Sequence, residues 1–393
     1  MMAQSDGQYS RRRWLFTILG LFLYVFDIWT DIGLALKYFQ EGHYLWSGLT
    51  VMFVLTGLLV TQVFSCAWYW DDMSDALTYP ERETTIQGLS KCELAVLHVC
   101  GIGIFTRYYL LLKKGIDVIW RPTNADTNEE KEVEHKKLFC MATDLSMLKL
   151  FEAFLENVPQ LLLQIYILLG HDKGSAMQYL SMAFSFFSAA WALVDYRCCM
   201  RRSHPDIREM SSGLPTAIYL LYKVCTITSH ILSYSLLLIL SIYSTIALTV
   251  IWLLGTTWTH FLGTDFCKSR SLEMLYRAVI GVILMFTFFN VKGQNTKGEM
   301  TFYYFFYSVV NVAAPILLVF LKPGLEASTF LLVVIGLIFG GSVLGLVCLV
   351  MYYLFLHPKR ESDEVDFASP GVVKETEATE TVAMERVRNF LQP

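Results

Sequence analysis

Charge is scarce in this sequence: Asp, Glu, Lys and Arg make up 17% of 393 residues, where a soluble domain carries about 25%. The scarcity excludes a disordered regulator and argues against a cytosolic enzyme. Basic excess is absent too. The formal net charge is −4, which speaks against a nucleic-acid binder. The nine cysteines form no C-x-x-C and no paired His/Cys spacing, so neither a metal centre nor a secreted disulfide scaffold is indicated. There is no N-x-S/T sequon, C-terminal lipidation box, phosphate-binding Gly loop, H-E-x-x-H or Ser-His-Asp set. No catalytic constellation, cofactor motif or metal site is expected.

What fills the chain instead is apolar: 54% hydrophobic and 15% aromatic. That composition predicts an all-α polytopic membrane protein. Ten apolar runs fall at about 14–39, 44–70, 93–112, 142–169, 176–198, 214–236, 239–262, 273–291, 301–321 and 327–356. The first follows Arg11-Arg12-Arg13 like a signal peptide. It is too long, holds Asp27 and Asp31, and lacks a small-residue cleavage site, so an uncleaved helix is expected.

The positive-inside rule sorts the runs. If all ten crossed, the 113–138 loop, with Lys113, Lys114, Arg121, Lys131, Lys136 and Lys137, would lie outside, as would Arg201, Arg202 and Arg208. If 93–112 and 273–291 instead enter and leave on one side, every basic loop is cytosolic. Only Lys173 and Lys322 then remain on outer turns. Eight transmembrane helices plus two re-entrant helices, with both termini cytosolic, is the predicted architecture. Each half reads span, span, hairpin, span, span, and each hairpin carries an arginine, Arg107 or Arg277. The halves, about 14–198 and 214–356, read as parallel repeats. The resulting organisation is a cytosolic N-terminus (1–13), a membrane domain (14–358) and a cytosolic tail (359–393).

Ionisable groups at membrane depth mark function by default. Asp27 and Asp31 are spaced i, i+4 and share a face. Lys149, Glu152, Glu156, Gln160 and Gln164 step by three and four along the fourth run, with Pro159 able to kink it. Asp195 closes the fifth run; Tyr219, Lys223, His230 and Tyr234 share a face in the sixth. Buried ion pairs that fix helix register, Lys149–Glu152 or Lys223 with an aspartate, would explain part of this set. A staircase of four or more acids against two bases is more than pairing needs, and suits a hydrophilic path for a polar substrate. Trp46, beside the first outer turn, is either interfacial belt or the exofacial lip of that path. Cys198-Cys199, beside Arg197, Arg201 and Arg202, has the setting of a palmitoylation site, weighed against plain thiols at a helix end. Gly336-x-x-x-Gly340 and Gly341-x-x-x-Gly345 permit close helix packing, within the chain rather than between copies.

The tail from 361 is polar and acidic, a composition that predicts disorder. It contains Asp363-Glu364-Val365-Asp366, the recognition tetrad of executioner caspases, which arises by chance roughly once in 100,000 positions. Phe367 after the cut is a flaw, because caspases prefer a small residue there. Further on, Ala383, Val387, Phe390 and Leu391 share one helical face. An amphipathic segment behind a cleavable linker reads as a removable plug: tethered, it docks at high effective concentration; cut, it loses that advantage.

The stretches "FDIWTDIGLALKYFQEGHYLWSGL" (26–49), "FTRYYLLLKKG" (105–115), "TDLSMLKLFEAFLENVPQLLLQIYILL" (143–169), "LVDY" (193–196), "GTDFCKS" with "EMLYR" (263–277) and "FTFFNVKGQNTKG" (286–298) resemble the XK-related family, in its branch of caspase-activated phospholipid scramblases. The resemblance implies eight spans with two re-entrant helices, and movement of phospholipids across the plasma membrane with exposure of phosphatidylserine. Family acidic positions carry onto Asp27, Asp31, Glu152, Glu156 and Asp195; Lys149 stands where the family more often has Arg. The lipid-path set is therefore Asp27, Asp31, Lys149, Glu152, Glu156, Gln160, Asp195 and Lys223. The expected partners are membrane phospholipids and a caspase-3-type protease. A single-span membrane glycoprotein as delivery partner is left open. Two rival readings stand beside this one: an ion or solute transporter, and a non-scrambling scaffold for lipid-transfer proteins.

Overall fold

The computed structural model describes residues 9–78, 90–120, 128–171, 174, 176–202, 213–241, 243–291, 297–322 and 329–356. The caspase tetrad Asp363–Asp366, Phe367, and the docking segment with Val387, Phe390 and Leu391 lie outside the described residues. Every regular element among the described residues is helical: α1 (Arg11–Gln40), α2 (Tyr44–Thr78), α3 (Lys91–Val99), α4 (Gly103–Trp120), α5 (Asn128–Glu152), α6 (Val158–His171), α7 (Ala176–Arg202), α8 (Leu214–Leu240), α9 (Tyr243–Phe261), α10 (Arg270–Phe286), α11 (Lys297–Leu321) and α12 (Thr329–Met351). Five stretches are long and apolar enough to cross a bilayer on their own: α1, α2 as far as Ser74, α8, α11, and α12 with its π-helical end to Leu356. The chain is a multi-pass membrane protein.

The third apolar run is broken rather than straight. It forms α3 and α4, bent by 118° at residues 100–102. Gly101 makes the corner at φ +76°, a conformation that side chains with a Cβ avoid. The corner is held by Gln62, midway along α2: its amide donates to the Gly101 carbonyl and accepts from the Gly103 N–H, both at 3.1 Å. Ser65, one turn on, completes the anchor. Its hydroxyl accepts from Arg107 Nε at 2.7 Å and lies 2.9 Å from His98 Nε2, while its carbonyl accepts from Arg107 Nη2 at 3.0 Å. Arg107 then pairs with Asp144 of α5 at 3.2 Å and packs over the Tyr69 ring at 4.0 Å. The apex of this hairpin thus sits halfway along a spanning helix.

A second arginine is held near the start of α10. Glu273, in the first turn of α10, accepts from the N–H groups of Phe266 and Cys267 (3.0 and 2.8 Å), from Thr264 Oγ1 and from Arg277 Nε. At its far end α10 stops at Thr287, against the middle of α8: Lys223 donates to Thr287 Oγ1 (2.9 Å) and to the Phe288 carbonyl (3.0 Å), and Tyr234 to the Met285 carbonyl.

The fourth run starts earlier than expected and is not one straight helix. It begins at Asn128, and its N-terminal extension is tied to α4 by Lys114–Glu134 at 3.0 Å. The kink expected at Pro159 is displaced. The disturbance lies just before it, in a π-helical turn over Ala153–Asn157. Proline offers no N–H and its ring crowds the carbonyl four residues back, at Leu155; widening that turn relieves the clash. The largest apolar core joins Phe64 and Trp68 of α2, Phe151 and Phe154 beside the π turn, Ile227 and Ile231 of α8, and Ile280 and Ile283 of α10. As expected, Gly341 and Gly345 pack within the chain, against Cys225, Thr226 and Ser229 of α8.

Arg107→Gln is expected to cost about 3–5 kcal/mol, because it leaves Asp144 buried beside no guanidinium. The measurement is thermal unfolding in detergent; a shift no larger than that of an exposed substitution such as Lys91→Gln would contradict the anchor.

Candidate functional site

The helix faces that carry buried charge meet between α1, α5, α7 and the π turn. The cavity there is about 60 Å³ and is lined by Arg13, Thr17, Gly20 and Tyr24 of α1, by Lys149, Glu152 and Asn157 around the π turn, and by Ser188, Ala192, Asp195 and Cys199 of α7. That is room for about four water molecules, and far less than a phospholipid headgroup needs.

Lys149 is the centre of the site. Its ammonium bonds the Glu152 carboxylate and lies 4.0 Å from the centre of the Tyr24 ring. One face of the cation thus meets a carboxylate and another a π cloud, two ways of stabilising positive charge away from water. Toward the N-terminal end of α1, Arg13 pairs with Asp195 at 3.4 Å and donates to the Cys199 thiol. Cys199 is buried, which favours a plain packing thiol over a palmitoylation site at that position. Toward the α1–α2 turn the acids continue, with Lys149 the cation that reaches Asp27 and Glu156. Asp27, Asp31 and Glu156 lie within Coulombic reach of Glu152. Asn157, brought round by the π turn, is within hydrogen-bonding reach of Asp27.

Glu156 is seated against α2. A Cβ on Gly57 would stand 2.7 Å from Glu156 Oε2 and 2.9 Å from its Cβ, so only glycine leaves the carboxylate where it is. Gln160 and Gln164 follow one and two turns above, both buried. Near the α1–α2 turn Trp46 is half-buried. It stacks on His43 at 4.1 Å and meets Tyr38 edge-on, while the Tyr38 hydroxyl accepts from Gln178 of α7 at 3.4 Å.

The structure therefore gathers Asp27, Asp31, Lys149, Glu152, Glu156, Gln160 and Asp195 along one side of the bundle. It does not bring Lys223 there. That ammonium faces Thr287 and Phe288, with Tyr222 at 4.9 Å, and no aspartate partners it. The rest of the α8 face is likewise engaged: Tyr219 accepts from Arg197 at 3.0 Å, and His230 meets Asn311, whose amide donates to Ser342. Polar groups satisfied in this way pin helices together. Sequence reasoning missed Arg13, Tyr24 and Asn157 as members of the site. Arg13 reads as one of three arginines that resemble a signal-peptide start, Tyr24 carries no charge to mark it, and Asn157 lies beside the π turn.

The geometry of this site can be set beside known proteins. The family model described as XK-related protein matches residues 15–358. The chain belongs to the XK-related family. It is 54% identical over 389 residues to XK-related protein 9 of Tetraodon nigroviridis, covering 98% of this chain and 100% of that protein. It is 30% identical to XK-related protein 8 of the same fish over 366 residues, and 30% identical to XK-related protein 8 of Pan troglodytes over 360 residues. The XK-related match takes in every site residue named above except Arg13, which stands two positions before it.

The Gly57–Glu156 contact gives a direct test. Gly57→Val is expected to destabilise the protein by about 1–3 kcal/mol, as overpacking does. Gly57→Val combined with Glu156→Ala is expected to recover part of that loss, read by melting temperature in detergent. Additive losses would show that the two positions do not touch.

Proposed function

We propose that this chain is a phospholipid scramblase whose headgroup path is the charged side of the bundle between α1, α5, the π turn and α7. The observation that carries the reading is the Lys149–Glu152 pair continued outward by Asp27, Asp31 and Glu156, inside helices whose outer faces are apolar. A scramblase needs no energy source. It has to lower the cost of carrying a zwitterionic or anionic headgroup through hydrocarbon while the acyl chains remain in lipid. Carboxylates would attract the amines of choline, ethanolamine and serine, and Lys149 and Arg13 would balance them toward phosphate. The outcome would be phosphatidylserine exposure at the plasma membrane.

The architecture proposed with it is eight spans and two re-entrant hairpins in two parallel repeats, with both termini cytosolic. Support comes from the two arginine-anchored hairpins, whose far ends stop against the middles of α2 and α8. Control is assigned to the tail: cleavage after Asp366 by a caspase-3-type protease would release a segment that docks through Val387, Phe390 and Leu391. A cavity too small for a headgroup fits a chain at rest. Phospholipids and the protease are the proposed partners, and no catalytic residue or cofactor is assigned.

The experiment is transbilayer movement of fluorescent phospholipids in liposomes holding the purified chain. Scrambling is expected only after caspase-3 treatment and is expected to be absent from Asp366→Ala under the same treatment. No movement by cleaved protein would instead favour a scaffold. For topology, Ala125→Cys and Asn295→Cys are expected to resist impermeant thiol reagents added outside intact cells; labelling would favour ten spans.

A further inference from the structure

The cavity between α1, α5 and α7 has two unlike walls. One is polar and tied: Arg13 pairs with Asp195, Lys149 with Glu152, and the Tyr24 ring packs against Phe105 and Tyr108 of α4. The other is apolar. Phe16 of α1 and Trp191 of α7 both line the cavity and meet each other across the α1–α7 seam, ring centres 5.6 Å apart.

The seam runs antiparallel, and its register follows from helical spacing. Phe16 stands three residues after Arg13 on α1, and Trp191 four residues before Asp195 on α7, so the ring pair lies one turn beyond the ion pair. A turn further come Gly20 and Ser188, whose small side chains leave the cavity its room. A second ring pair follows them, Phe26 with Phe184 at 5.3 Å.

At Phe16 and Trp191 a single layer of rings stands between the polar wall and the outside of the bundle. Phe16 lines the cavity yet is 49% exposed, beside Leu15 and Leu19 on the apolar surface of a spanning helix. Trp191 is half-buried, and the Phe187 ring that stacks on it at 6.2 Å is exposed. Ion pairs resist separation in a dry interior, because each charge is left uncompensated. A ring pair that parts trades its contacts for acyl chains, which are equally apolar. The aromatic wall is therefore the one that opens at least cost. Behind it, Arg13 Nε, the Tyr24 hydroxyl and Asn157 Oδ1 are enclosed without a protein partner, and all three residues line the cavity.

We propose that the α1–α7 seam at Phe16 and Trp191 is the side entrance through which a phospholipid headgroup passes from the bilayer into the cavity, its acyl chains staying outside. This entrance presupposes the headgroup path proposed above and gives it a place of access.

Cys199 reports on the entrance independently of lipid transfer between leaflets, since its buried thiol lines the cavity behind the rings. The probe is phosphatidylethanolamine carrying a maleimide on its headgroup, in nanodiscs holding the full-length chain with Cys198→Ser. Modification of Cys199 is read by peptide mass spectrometry. Phe16→Ala/Trp191→Ala is expected to raise the rate about tenfold over the parent, whereas Phe22→Ala, which removes an exposed ring elsewhere on α1, is expected to leave it unchanged. Equal rates in the parent and the double variant, or an equal rise in Phe22→Ala, would overturn the entrance. Should the double variant fail to fold, Trp191→Leu carries the test: faster modification supports the entrance, and an unchanged rate rejects it. Cys199 modification in a chain that moves no lipid after cleavage would reject the scramblase reading alone. Lipid movement by the cleaved chain with Cys199 left unmodified would reject the entrance alone.

Discussion

A charge that leaves water must be met inside the protein, and in this chain that constraint turns on Lys149. Its ammonium is shared between the Glu152 carboxylate, one turn on in the same helix, and the Tyr24 ring, so one residue ties the end of α5 to α1. Take the ammonium away and Glu152 faces Asp27 and Glu156 with no base among them. The electrostatic penalty would fall on the segment that Pro159 already forces out of regular α geometry. Strain and charge are therefore concentrated at one depth. Elsewhere the bundle settles its buried charges locally: Arg107 with Asp144, Arg277 with Glu273, and Lys223 with a hydroxyl and a carbonyl.

That contrast separates two uses of polarity in one membrane domain. The arginine pairs and the α8 hydrogen bonds hold the bend at Gly101 and the places where α8 meets α10 and α11. The α1–α5–α7 side is short of cations and keeps enclosed amide and carboxylate atoms without protein partners. A structural network would not need that shortage. A path for amine-bearing headgroups would use it.

Much of this is legible in the sequence because membrane-depth charge is conspicuous against apolar neighbours. The i, i+4 spacing of Asp27 and Asp31, and the steps from Lys149 to Gln164, place most of the track by helical periodicity alone. Periodicity fails at two places. The π turn brings Asn157 into the site, and that widening follows from the steric demand of Pro159, which a stripe count ignores. Lys223 has the spacing of a track residue, yet α10 ends against it and takes its bonds, a tertiary event with no local signal. The position of the bend at Gly101 is likewise hidden, although basic-loop asymmetry already marks 93–112 as a run that turns back. Basic-loop asymmetry singles out 93–112 and 273–291; the first is bent by 118°, and each holds an arginine paired with a buried carboxylate.

The most direct measurement is the lipid-scrambling rate of tail-cleaved protein carrying Glu152→Gln with Glu156→Gln, compared with wild type at equal reconstitution and after confirming equal surface delivery in cells. If the charged side is the headgroup path, scrambling is expected to fall by about tenfold or more, equivalent to ~1.4 kcal/mol of lost barrier reduction, with delivery unchanged. Wild-type scrambling by the double variant, or its retention in the secretory pathway as misfolded protein, would contradict that assignment and leave the stripe as a device for helix register.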